Sequence, residues 1–237
     1  LLHYPIGSNP MDAIRPLVKK FCDLELNSSA EPIWIDSVLL PNQDSIDNDI
    51  SSLNREIEIL QNQKNKFLDQ KSVLSKWRKL LYETGSNLEE IVFEALKILG
   101  MDNIQYGLKG SEDIVGEIYD KIFLFEVKGI SGLVGRKEVL SLVRHIDEYE
   151  TRNPDKNVSK GVLIANVYRN IPPLIREDEG RELFSSDAIN HAKRNNLVII
   201  DTWSLYKILV DTIEGRSRKG SLFSEIIVID GAYKYHQ

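Results

Sequence analysis

Ile122-Phe123-Leu124-Phe125-Glu126-Val127-Lys128-Gly129 is a run of large apolar residues that ends in an acid, a lysine and a glycine. Tyr119-Asp120-Lys121 precede it, so turn-formers bound it on both sides and it reads as an interior strand. Side chains alternate along a strand, which puts Ile122, Leu124, Glu126 and Lys128 on one face. That face begins as core and ends in two charges. Bare burial of a charge costs several kcal/mol, so each charge needs a partner or a metal. A structural ion pair meets that need, and so does the beginning of an active site.

The flanking sequence supplies the frame. Asp113-Ile114-Val115-Gly116-Glu117-Ile118 pairs with 122–127 as a hairpin around Tyr119-Asp120-Lys121. The start of the first strand then lies across from the end of the second, with Asp113 near Glu126 and Lys128. Upstream, Gly85-Ser86-Asn87 opens a helix over 88–99 that Gly100 ends. Leu88, Val92, Ala95, Leu96 and Leu99 form its buried stripe. Glu89 borders that stripe, whereas Glu90 shares a more polar side with Glu94 and Lys97. A short strand over 103–108 follows.

Downstream, the glycine-rich loop 129–135 leads into a helix over 136–149. Its inner face is Val139, Leu142, Val143 and Ile146, with His145 on its surface. Residues 161–166 have the composition of a fully buried strand. After them come a Pro- and charge-rich loop (171–180), a helix (185–195), a strand (197–201) and a helix (202–213). A polar turn at 215–220 precedes a last strand over 225–230. Strands alternating with helices after an initial hairpin predict an α/β sandwich around one mixed sheet.

Residues 44–83 are different in kind. Ile46, Ile50, Leu53, Ile57, Leu60, Lys64, Phe67, Lys71, Leu74, Arg78 and Leu81 recur at steps of four and three, a heptad seam with Asp44 or Ser45 as N-cap. The helix would be roughly 50–60 Å long. Lys64, Lys71 and Arg78 replace apolar residues at one seam position, a pattern that fixes register or partner. Three roles fit such a helix: packing along its own domain, a homodimeric coiled coil through 44–83, or a different partner chain. In residues 1–43 the stretch 10–21 holds one helix, beginning near Pro16. Trp34, Ile35, Val38, Leu39 and Leu40 are too few for a core of their own. They are expected to dock on the main domain or on an upstream one, and the opening Leu1-Leu2-His3-Tyr4-Pro5 reads as a piece of a longer chain.

Composition limits the functional classes. The 237 residues are 42% apolar, with net charge −6. From Gly85 onward there are 20 Lys/Arg against 24 Asp/Glu, so a surface coated in nucleic-acid-binding charge is excluded and any polyanion would need a local patch with bound cations. No apolar run is long enough to span a membrane. Cys22, the only cysteine, rules out an internal disulfide and a Cys-based zinc site and fits a reducing cytoplasm. His3, His145, His191 and His236 lack metal-ligand spacing. The turn Arg216–Lys219 reads as a solvated loop, and Trp34, Trp77 and Trp203 read as packing residues.

Glu89, Asp113, Glu126 and Lys128 are thus expected to converge. Carboxylates on rigid elements, with open positions for water and phosphate, are what Mg²⁺ requires. Asp113 and Glu126 would ligate the metal with the main-chain carbonyl of Val127, and Glu89 would bind a second metal or the first one's water shell. Lys128 would orient or deprotonate the attacking water and stabilise developing negative charge. As a bare structural alternative, Asp113 and Lys128 form a cross-strand ion pair and Glu89 is a solvated helix acid.

The order Asp113, hairpin, Glu126-Val127-Lys128, preceded by the helix Leu88-Glu89-Glu90-Ile91-Val92 and followed by the 161–166 strand, resembles the PD-(D/E)XK nuclease superfamily over about 85–213. Glu112 stands where the name-giving proline would be. Ser141 is nearest to the position where some relatives carry a glutamine. The resemblance implies a restriction-endonuclease-like core, a mixed central sheet flanked by helices, preceded here by the coiled-coil-type helix. It implies a metal-dependent nuclease, Mg²⁺ with Mn²⁺ as substitute, cutting DNA as an endonuclease in defence against foreign DNA or in repair. A catalytically inactive module that binds nucleic acid or assembles through the coiled coil is the alternative.

Overall fold

In the structure, a computed structural model, residues 14, 15, 18, 20, 31–108 and 110–235 are described. Of the helix expected over 10–21, Ile14, Arg15, Val18 and Lys20 are described and helical, and the remainder, Pro16 included, lies outside the described residues. His3, Cys22 and His236 also lie outside them. The chain divides into two units, Leu1–Phe67 and Leu68–Gln237.

The heptad stretch forms helix α1, Gln43–Ser75, and then tightens into a 3₁₀ segment, Lys76–Leu81. The expected single helix to residue 83 therefore ends early. Trp77 and Leu80 turn into the core there, a placement that a continued α-helical seam would not give. No residue of α1 is buried, and Ile46, Ile50, Leu53, Ile57, Leu60, Phe67 and Leu74 are each at least 50% exposed. Trp34, Val38, Leu39 and Leu40 are also exposed, so Trp34 is not the packing residue expected.

The second unit is built on a six-stranded sheet in sequence order. Strands β1 (Asp102–Tyr106), β2 (Ile114–Ile118) and β3 (Lys121–Gly129) are antiparallel. From β3 the pairing becomes parallel through β4 (Val158–Asn166), β5 (Leu197–Asp201) and β6 (Gly231–Tyr233). Helices α2 (Gly85–Ile98), α3 (Arg136–Arg152), α4 (Pro173–Asp178), α5 (Ser186–Arg194), α6 (Thr202–Ile213) and α7 (Ser221–Ile226) complete the unit. One sheet face packs Phe123, Phe125 and Val127 against Leu88, Val92, Leu205, Leu209 and Phe223. The opposite face packs Leu124, Leu163 and Ala165 against Val139, Leu142, Ala188 and Ala192. Each buried Val, Leu or Phe among these contributes about 1.5–3 kcal/mol. The expected α/β sandwich around a mixed sheet is the observed architecture.

Local chemistry explains the boundaries. Helix α2 stops in a Schellman turn: Gly100 has φ +99°, and the Met101 N–H donates to the Leu96 carbonyl at 2.9 Å. Asp201 ends β5 and caps α6, its carboxylate accepting from the Ser204 N–H at 2.9 Å. The hairpin turns on only two residues, Tyr119 and Asp120, at φ +53° and +58°, which is the left-handed geometry of a type I′ turn. Lys121 belongs to β3 rather than to the turn. Two further expectations fail. Residues 225–230 are not a strand, because Leu222, Phe223 and Ile226 form the buried face of α7 and the strand follows at Gly231. The loop expected over 171–180 contains α4. Among the described residues no helix is long and apolar enough to cross a membrane.

Candidate active site

The site is set by the alternation along β3. With Phe123, Phe125 and Val127 turned to α2, Leu124 and Glu126 face α3, where Glu126 is fully buried. Ile114 pairs with Phe125 in the antiparallel register, which brings Asp113, just before β2, beside the end of β3. One Asp113 oxygen, Oδ2, accepts the Val127 N–H at 2.7 Å. The expected meeting of Asp113 with Glu126 and Lys128 is therefore present.

Lys128 joins the two acids. Its Nζ lies 2.5 Å from Glu126 Oε1 and 3.9 Å from Asp113 Oδ2, so the tight pair is with Glu126 and the cross-strand one is loose. Burial alone would lower the pKa of this ammonium. The hydrogen bond and charge of Glu126, with Asp113 and Glu89 behind them, more than offset that and hold it above the ordinary lysine value. Asp113 moves the other way from most paired acids. Burial and the neighbouring Glu126 charge push it up to about 6, against the Val127 N–H and Lys128.

Sequence reasoning misses His145. It is 4% exposed, not a helix-surface residue, and its Nδ1 is 2.7 Å from Glu126 Oε2. Arg144 Nη2 lies 3.0 Å from the other ring nitrogen, Nε2. A guanidinium only donates, so in this contact Nε2 accepts and Nδ1–H is left to donate to Glu126. The signal is present in the helical spacing: 142, 145 and 149 lie on one stripe of α3, and Leu142, His145 and Tyr149 are all buried. Ser141, one turn earlier, places Oγ 3.5 Å from Glu126 Oε1.

Glu89 reaches the site through its charge. It raises the pKa of both Asp113 and Lys128, and among the described residues it makes no hydrogen bond or ion pair there. Its helix is anchored at the strand ends. The backbone of Gly129 lies against Thr84, and Asn166 Nδ2 donates to the Glu83 carbonyl at 3.1 Å. Arg216 of the basic turn pairs with Asp211 and Glu214 instead of facing the acids.

The donor chemistry suits a hard cation in part. A buried and a half-buried carboxylate lie side by side, and the burial and Glu126 repulsion that raise Asp113 both disfavour a charge that a divalent cation would stabilise. Among the described residues, however, no three His, Cys, Asp or Glu side chains are grouped so as to hold a metal ion, and both Glu126 oxygens already have partners. Main-chain oxygen and water would have to complete any such site.

No protein-family model matches the chain, and no curated protein matches it. Solved structures do resemble it, restriction endonucleases among them. The structure of restriction endonuclease FokI matches at TM-score 0.49 and 13% identity, over 66% of this chain and 30% of FokI. FokI bound to DNA gives 0.48 and 13%, over 67% and 30%. The small subunit (R.BspD6I2) of the heterodimeric restriction endonuclease R.BspD6I gives 0.45 and 16%, over 67% of this chain and 87% of the subunit. This chain thus spans under a third of FokI's length.

Proposed function

We propose that the second unit is a metal-dependent nuclease that hydrolyses phosphodiester bonds, with DNA as substrate and internal cleavage as the mode. The observation that carries the reading is the Asp113–Glu126–Lys128 group: a buried and a half-buried carboxylate, the latter pushed up to about 6, both within reach of one ammonium. Asp113, Glu126 and the Val127 carbonyl would hold Mg²⁺ or Mn²⁺, with Glu89 acting on its water shell. The ion would supply Lewis-acid activation of water and neutralisation of the phosphoryl oxygens. Lys128, held above the ordinary lysine pKa, stays protonated at neutral pH. It therefore suits orienting the attacking water and stabilising the negative charge of the transition state, in place of deprotonating that water. His145 and Ser141 fix the Glu126 carboxylate from the α3 side.

Incubation of the full chain with plasmid and Mg²⁺ or Mn²⁺ tests this. Cutting should fall by about 10²–10⁴-fold in Asp113→Ala and in Lys128→Ala. Cutting that survives both substitutions sinks the assignment. A second reading, a binding or assembly module that does not cut, is favoured by the closure of both Glu126 oxygens. Absence of cutting on any nucleic acid would support it.

The exposed seam of α1 supports a coiled-coil homodimer through 44–83. Two sites related by a two-fold axis suit cleavage of both strands. Leu53→Asp with Leu60→Asp should shift the full chain towards monomer in sedimentation; an unchanged oligomer would exclude the seam. A single cysteine fits work in a reducing cytoplasm, in defence against foreign DNA or in repair.

A further inference from the structure

The carboxyl ends of β5 and β6 enclose a second opening, a cavity of about 350 Å³ between α4, α5 and the start of α6. In open α/β sheets this end of the parallel strands is where ligands enter. Leu183, Phe184, Ile189, Trp203 and Tyr233 give it an apolar wall of ring-sized dimensions. Charged residues share the lining, Glu177, Arg181, Glu182, Asp201 and Lys234 among them, and of its cations Arg176 alone is buried. Arg176 is 3% exposed, and burial pulls its pKa below the ordinary guanidinium value, with Asp201 and Glu177 acting against that fall.

Arg176 is only partly satisfied by the chain. Its Nη1 donates to the Val167 carbonyl, while Nε and Nη2 are buried with no hydrogen-bond partner among the described residues. Neither nearby acid closes on them. Asp201 gives its two oxygens to the Ser204 N–H and hydroxyl at 2.9 and 2.7 Å, and Glu177 pairs with Lys207 at 3.0 Å. Nε and Nη2 lie on one edge of the guanidinium plane and donate in parallel. That spacing matches two oxygens of a single carboxylate or phosphate.

We propose that this cavity binds a small oxyanion on an apolar, ring-sized body, a carboxylate or a phosphate monoester, with the oxyanion held by Nε and Nη2 of Arg176. The ring lies against Phe184 and Trp203, and the charge replaces the hydration that the buried fork lacks. The site shares no residue with Asp113, Glu126 or Lys128, so it stands or falls apart from the nuclease reading.

Calorimetric titration and thermal melts of the full chain with benzoate, phenyl phosphate, phenol and inorganic phosphate test the proposal. At least one of the two ring oxyanions should bind at least about tenfold more tightly than phenol and than inorganic phosphate, and raise the melting temperature. Which of the two does so identifies the anion class. Arg176→Met should lower that affinity by tenfold or more. Ala232→Trp, which fills the cavity and leaves Arg176 intact, should do the same and serves if the first variant does not fold. Failure of both ring oxyanions to bind overturns the proposal. So does binding of inorganic phosphate as tight as that of phenyl phosphate, or ring-oxyanion binding that survives Ala232→Trp.

Discussion

Glu126 and Arg176 are both buried charges at the carboxyl side of the parallel half of one mixed sheet, and the chain treats them in opposite ways. Every oxygen of Glu126 is engaged: Lys128 at 2.5 Å on one, His145 at 2.7 Å on the other. Two nitrogens of Arg176 have no partner among the described residues. An ionised group in a closed network belongs to the fold as well as to any chemistry it performs. One with open donors is a cost that the folded chain carries by itself. The contrast separates a site that is already assembled from one that waits for a ligand.

The widest effect expected from this contrast is on activity. Glu126→Gln should lower plasmid cutting by about 10²–10⁴-fold, since it removes a proposed metal ligand and the anion that pairs Lys128. Wild-type rates in that variant would reduce Glu126 to a structural acid. His145→Ala comes next. It leaves Glu126 Oε2 buried without its donor and should lower unfolding stability by about 1–3 kcal/mol, read from urea melts. A loss below about 0.5 kcal/mol would mean that the closed network is not closed in solution.

Asp113 gives a smaller effect with a definite sign. Its folded pKa, about 6, lies above the ordinary 3.8. The folded chain therefore holds the proton more tightly, and this group's stabilising contribution is full below about pH 4 and lost as pH rises through 6. Without divalent cation, Asp113→Asn should raise stability at pH 7.5 by about 1–2 kcal/mol and change it little at about pH 3.5, below both values. Equal effects at the two pH values would break the link to Asp113. Arg176→Met should have the least effect. Loss of the bond to Val167 and relief of two unpaired donors oppose one another, so stability should move by less than about 1 kcal/mol. A loss of about 3 kcal/mol would show that Arg176 is tied into the fold as Glu126 is.

Much of the assembled site is legible in the sequence because it rests on alternation and register. An apolar run ending in Glu126 and Lys128, facing Asp113 across a hairpin, can form only one way once the core face is chosen. His145 is less visible because a histidine on a helix carries no sign of which side it takes. Only the spacing of Leu142 and Tyr149 puts it inside. Tyr119-Asp120 lacks the glycine that usually marks a type I′ turn, so the sequence pattern makes the turn one residue too long. The β-branched run Ile226-Ile227-Val228-Ile229 has the composition of a strand. A short apolar run is ambiguous by period, and the burial of Leu222 and Phe223 with Ile226 decides for helix. Arg176 is hidden within a segment that reads as loop. Its exposure is set by the distant residues Val167 and Asp201, which no local pattern reports.

Gly129 is the last residue of β3, and a methyl group added there would stand 2.5 Å from Thr84 Cγ2 and 3.1 Å from Thr84 Cα. Strand and helix thus meet with no spacer thicker than a hydrogen atom. The gap between Glu89 on the helix and the strand acids is gauged by that missing carbon. Alanine at 129 would act as a shim, tilting the helix outward while every acid keeps its identity. Position 129 is therefore a place where the electrostatics of the cluster can be retuned by thickness alone, without touching a charge.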